Sequence, residues 1–75
     1  MNSFIQISTT TETKEQAQKI AKHLVGQKLA ACVQISGPIE STYRWKGKIE
    51  TSGEWRCIIK TQTPLFKKVE AAIKK

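Results

Sequence analysis

The stretch IESTYRWKGKIETSGEWRCIIKT, residues 39–61, decides the fold. Ile39, Ser41, Tyr43 and Trp45 alternate with Glu40, Thr42 and Arg44. Past Trp45-Lys46-Gly47-Lys48, Trp55, Cys57, Ile59 and Thr61 alternate with Arg56, Ile58 and Lys60. Period-two alternation in β-branched and aromatic residues predicts two antiparallel strands joined at that turn. Each arm runs for ~7 or more residues, beyond the usual ~5–6. A ribbon of this length outgrows a small core, so its tip is expected to project. Tyr43, Trp45 and Trp55 along it then either bind a partner or pack against another copy of the chain.

Working outward toward the N-terminus, residues 29–35 read as a strand, apolar enough to be a central one. Ser36-Gly37-Pro38 bends it into the ribbon, and Pro38, which lacks a ladder donor, predicts a bulge or kink. A second bulge is expected at Ser52-Gly53. Residues 4–8 form a short strand that Thr9-Thr10-Thr11 ends. Thr13 with Gln16 fits a capping box. Ala17, Ile20, Ala21, Leu24 and Val25 follow the i, i+3, i+4, i+7, i+8 spacing of an amphipathic helix. Glu12 and Glu15 at its start and Lys28 at its end suit the helix dipole. Toward the C-terminus, Thr63-Pro64 predicts an N-cap followed by a first-turn proline. Leu65, Phe66, Val69, Ala72 and Ile73 form the stripe of the second helix. The order is β-α-β-β-α, an α+β chain with both helices on one face of an antiparallel sheet. One more strand would complete the split βαββαβ unit. The helical pattern reaches Lys74-Lys75 without a stop signal, so residues 1–75 read as a single domain that is incomplete at its C-terminus.

Seventy-five residues with a mean hydropathy of −0.40 support one modest core, close to the size at which oligomerisation or further chain is needed. Thirteen basic against six acidic residues give +7, which raises nucleic acid or an anionic surface as a partner. The lysines are spread, however, over the first helix (Lys14, Lys19, Lys22, Lys28), the ribbon turn (Lys46, Lys48) and the end of the chain (Lys67, Lys68, Lys74, Lys75). A solvated surface explains that distribution more simply than a binding arm. Cys32 and Cys57 fall inside apolar strand patterns with no zinc spacing and no disulfide framework; buried, reduced thiols of a cytoplasmic protein are expected. No export signal and no membrane-length apolar run is present.

Lys28-Leu29-Ala30-Ala31-Cys32-Val33, Tyr43-Arg44-Trp45-Lys46-Gly47-Lys48-Ile49-Glu50 and Ile59-Lys60-Thr61 closely resemble the divalent-cation tolerance (CutA) family, and the layout agrees over nearly all 75 residues. The resemblance implies a ferredoxin-like fold and a tight homotrimer held by its ribbons, with Tyr43 and Trp45 at the ribbon tip against a neighbouring subunit and Trp55 with them at the interface. It implies a role in tolerance of divalent cations, chiefly copper, and no established catalysis. Departures matter here. Some relatives carry a metal-ligating cysteine at the end of the first strand, where this chain has Ser8. A His-Pro-Tyr-Glu-like stretch after the second helix lies beyond Lys75. The family's metal ligands therefore do not carry over, and no cofactor is assigned beyond a possible divalent cation such as copper.

The residues themselves offer little further chemistry. A transition-metal site needs several converging thiolate, imidazole or carboxylate ligands. Cys32, at the family's matching position, is the first candidate and His23 the second, with core packing and a helix-surface position as their simpler readings. No nucleophile elbow or phosphate loop is present, and Glu40, Glu50 and Glu54 most simply pair with Arg44 and Arg56 across the ribbon. The alternative from another class is an RNA-binding βαββαβ module using its basic, aromatic-bearing sheet. It lacks the aromatic signature string on the third strand, so neither nucleic acid nor a membrane is expected as partner.

Overall fold

The computed structural model describes residues 3–74. The order is β1 (Phe4–Thr11), α1 (Lys14–Gly26), β2 (Cys32–Trp45), β3 (Lys48–Gln62), a 3₁₀ turn (Thr63–Leu65) and α2 (Phe66–Ile73). It is a ferredoxin-like α+β arrangement. Three antiparallel strands lie in the order β1-β3-β2, so β3 and not β2 is the central strand. Consecutive Cys57-Ile58-Ile59 is the run that a flanked strand requires, whereas β2 between Cys32 and Ile35 alternates and lies at an edge.

β1 does not stop at Ser8. Thr9, Thr10 and Thr11 pair with Cys57, Arg56 and Trp55, because β-branched threonines suit a pleated strand. Helix α1 then starts through the expected capping box. Gln16 N–H donates to Thr13 Oγ1 at 3.2 Å while Gln16 Oε1 accepts from Thr13 N–H at 3.3 Å. At its other end Lys28 takes φ 59°, and Leu29 N–H returns to the Leu24 carbonyl at 2.8 Å.

Both helices cover one face of the sheet. Ala17 and Leu24 of α1 and Val69 of α2 meet Cys57 and Ile59 of β3 and Ala30 in a single cluster. Ile7, Val33, Ile35 and Trp55 surround it. Val25, on the apolar side of α1 by spacing, is instead largely exposed. Thr61 is the polar member of this interior; its hydroxyl donates to the Leu29 carbonyl at 2.6 Å, which removes the penalty of burying it unpaired. Helix α2 does not start on a Thr63 cap. Residues 63–65 form the 3₁₀ turn, and the Thr63 hydroxyl instead donates to the Ser3 carbonyl at 3.1 Å. The uncapped chain end expected at Lys74-Lys75 falls partly outside the described residues; Lys74 is the C-cap of α2.

The single irregularity between β2 and β3 is a bulge between Ser36 and Ile39. Gly37 and Pro38 there oppose Trp55 alone. The bulge expected at Ser52-Gly53 does not form: Ser52 and Gly53 pair in register with Ser41 and Glu40. Gly37 has φ 150°, and a Cβ on it would lie 2.9 Å from Cε3 of Trp55, so the Trp55 ring occupies the space a side chain would need. The extra residue reverses the faces of β2. Val33 and Ile35 point to the helices, but Ile39, Ser41, Tyr43 and Trp45 point to the bare face. The ribbon beyond closes through Lys46 and Gly47, both at positive φ (51° and 76°), as a two-residue primed turn demands. It gives the molecule extents of 46 × 22 × 20 Å and a radius of gyration of 13.8 Å, against about 11 Å for a compact chain of this length.

Candidate functional site

Among the described residues no helix covers the sheet face opposite α1 and α2 or the ribbon continuous with it. β1 contributes Phe4, Gln6, Ser8 and Thr10 to it, and β3 contributes Ile58 and Lys60 beside Cys32 and Gln34 of β2, as the strand register requires. Beyond the bulge the same face carries Ile39, Tyr43 and Trp45. Trp45 is 60% exposed and Tyr43 47%. Lys46 Nζ stands 5.9 Å from the Trp45 ring centroid. Ile49, opposite Arg44 on the other side of the ribbon, is 73% exposed; the alternation of the second arm is the sequence signal for it. Tyr43, Trp45 and Ile49 thus leave large apolar groups exposed along the projecting ribbon.

Trp55 is separated from the other two aromatics. It lies on the helix-bearing side at the root of the ribbon, packs against the core margin and has Lys14 Nζ 5.5 Å from its ring centroid. Tyr43 and Trp45 share a face; Trp55 does not share it with them.

A polar cluster at the ribbon base was not legible beforehand. Thr10 of β1, Ser41 of β2 and Glu54 of β3 converge, and hydrogen bonds from Ser41 first and Thr10 second hold the Glu54 carboxyl below its ordinary pKa. Only the three-strand register brings these residues together. The sign of the linkage is fixed: stability from these bonds is present above the ordinary carboxylate range and is lost as pH falls through the lowered value. The Glu–Arg pairs expected across the ribbon do not form. Glu40 opposes Gly53, Arg44 opposes Ile49 and Glu50 opposes Tyr43. Among the described residues the ion pair is Lys74 with Glu70, at 3.9 Å on α2.

The two cysteines differ. Cys57 is buried and its thiol pKa is raised by that burial. Cys32, expected in the core, is exposed, because β2 is an edge strand and Cys32 shares the bare face with Gln34. Native-state alkylation followed by mass spectrometry should therefore modify Cys32 rapidly and Cys57 only on unfolding. Equal rates at both would contradict the placement. His23 is exposed on α1, away from Cys32. Among the described residues no group of three or more His, Cys, Asp or Glu side chains is placed to hold a metal ion, so the two candidate ligands do not form a site within one protomer. No described helix is long and apolar enough to cross a membrane.

These features define a small ferredoxin-like α+β domain with an extended, aromatic-tipped β-ribbon. The chain belongs to the CutA1 divalent ion tolerance protein family, whose profile matches residues 5–75. It is 45% identical over 74 residues to the divalent-cation tolerance protein CutA of Archaeoglobus fulgidus, which covers 99% of this chain and 70% of that protein. It is 42% identical over 62 residues to the chloroplastic CutA of Arabidopsis thaliana, covering 83% of this chain but 34% of that one. The crystal structure of CutA1 from Ehrlichia chaffeensis superposes with a TM-score of 0.94 at 34% identity, over 99% of this chain and 69% of that one. The A. fulgidus structure, described as a periplasmic divalent cation tolerance protein, superposes with a TM-score of 0.83 at 44% identity, covering 99% of this chain and 70% of that one. The chain thus spans about a third to 70% of the length of these relatives.

Proposed function

We propose that this chain is a divalent-cation tolerance protein that works as a homotrimer, assembled through its ribbon, and that it handles divalent cations, copper among them, without catalysing a reaction. The observation that carries this is the exposed Tyr43–Trp45 tip on a ribbon that its own core does not cover. Family membership supports the cation role, since its relatives bear that name. Obligate interfaces are apolar and aromatic-rich. In this reading Tyr43 and Trp45 seat against a neighbouring subunit, and Trp55 contributes by fixing the ribbon root. Reduced cysteines fit a cytoplasmic setting.

Because one protomer's described residues do not converge on an ion, cation binding in this reading belongs to the assembly, where Cys32 is the accessible thiol. Titration with Cu²⁺ at protein concentrations on either side of assembly should show binding that tracks the assembled species. The same affinity in dilute, dissociated protein would contradict it.

A further inference from the structure

We infer where the ribbon tip seats in the assembly: Lys46 and Lys48 of one copy dock on an acidic hollow at the ribbon root of the next, between Glu12, Glu54 and Tyr43. This contact rests on the ribbon-built assembly proposed above and names the surface that receives the tip. Down the bare face from the turn, the register sets Lys48 beside Trp45, Glu50 beside Tyr43, Ser52 beside Ser41 and Glu54 beside Ile39. Lys46 leans over Trp45 at the top, 5.9 Å from the ring centroid. One face of one ribbon is therefore basic at its tip and acidic from Glu50 toward its root. Glu12, just past the end of β1, joins Tyr43, Ser52, Gly53 and Glu54 around a surface hollow of about 530 Å³.

The two ends cannot neutralise each other within one protomer. Lys48 and Glu54 lie on the same extended strand, roughly 20 Å apart at that spacing in sequence. Among the described residues none of Glu12, Lys46, Lys48, Glu50 and Glu54 is in an ion pair. Hydrogen bonds from Ser41 and Thr10 keep Glu54 in its charged form, so the hollow is negative before any partner arrives. A second copy supplies the complement, two ammonium groups carried on a projecting turn. The Tyr43 ring adds a π face for one of them. Arg56 and Lys60 lie further down the same face and repel a tip seated lower, which sets the register of the contact. Tip-to-root docking is heterologous, so three copies use each tip and each root once in a closed ring.

Exchange of the charges tests the contact, read as assembled mass by sedimentation across protein concentration at low salt, with circular dichroism as the check on fold. Lys48→Glu alone and Glu54→Lys alone should each raise the concentration at half-assembly by about tenfold or more, since like charges then face each other in every copy. The double variant Lys48→Glu with Glu54→Lys restores opposite charges and should return to within about threefold of the parent chain. Glu54 also serves the Thr10–Ser41 cluster, so Lys48→Glu with Glu12→Lys repeats the exchange on a carboxylate outside that cluster. If the parent chain assembles, single exchanges without effect, or double variants no better assembled than the singles, would overturn this contact alone. A parent chain that is monomeric at every concentration would overturn it together with the assembly.

Discussion

Replacing Trp45 with alanine should take the assembly apart while leaving the protomer folded. Trp45 lies at the ribbon tip, 60% exposed in the isolated chain, and touches no core residue whose packing it could disturb. Its loss should cost the fold no more than the ~0.5 kcal/mol typical of a surface change. At an interface the same side chain belongs to the class that dominates binding, where truncation costs about 2 kcal/mol or more. In a closed trimer each protomer contributes one such side chain, so the penalty is incurred three times per assembly. The dissociation midpoint should then move to much higher protein concentration, with far-ultraviolet circular dichroism unchanged. Tyr43→Ala should act in the same direction. Loss of assembly and of fold in equal measure would show that Trp45 supports the protomer instead.

Leu24→Ala should have the opposite profile and unfold the chain. Leu24 is 1% exposed and joins α1 to Ile59 and Val69 in a core of few large side chains. Deleting a buried leucine's side chain costs about 2–5 kcal/mol, as transfer energy plus a residual cavity. A domain of this size rarely draws more than ~3–5 kcal/mol from its core, so the variant should be largely unfolded in dilute buffer. Lys22→Ala, on the exposed side of the same helix, should change the urea midpoint little. A Leu24→Ala protein with an unaltered midpoint would mean that assembly, rather than this core, holds the protomer together.

The parts of this structure that local chemistry dictates were readable in advance. The Thr13–Gln16 capping box, the Ala17–Leu24 stripe and the Lys46-Gly47 turn each depend on residues a few positions apart. What depended on pairing between strands was not. Gly37-Pro38 and Ser52-Gly53 look equally disruptive as dipeptides, and only the register shows that the first pair absorbs the extra residue while the second stays in the ladder. From that follows the reversal of faces which parts Trp55 from Tyr43 and Trp45. The apolar run over residues 29–35 suggests a central strand with Cys32 in the core, but the alternation of Cys32 and Gln34 with Val33 and Ile35 marks Cys32 as facing away from the helices. The Thr10–Ser41–Glu54 cluster draws on three strands and has no local signature at all.

The most direct test of the account is the mass of the 75-residue chain in solution, by sedimentation equilibrium across protein concentration. Ribbon-mediated assembly predicts a stable species of three times 8.5 kDa that Trp45→Ala converts to monomer. A monomer at every concentration would contradict it.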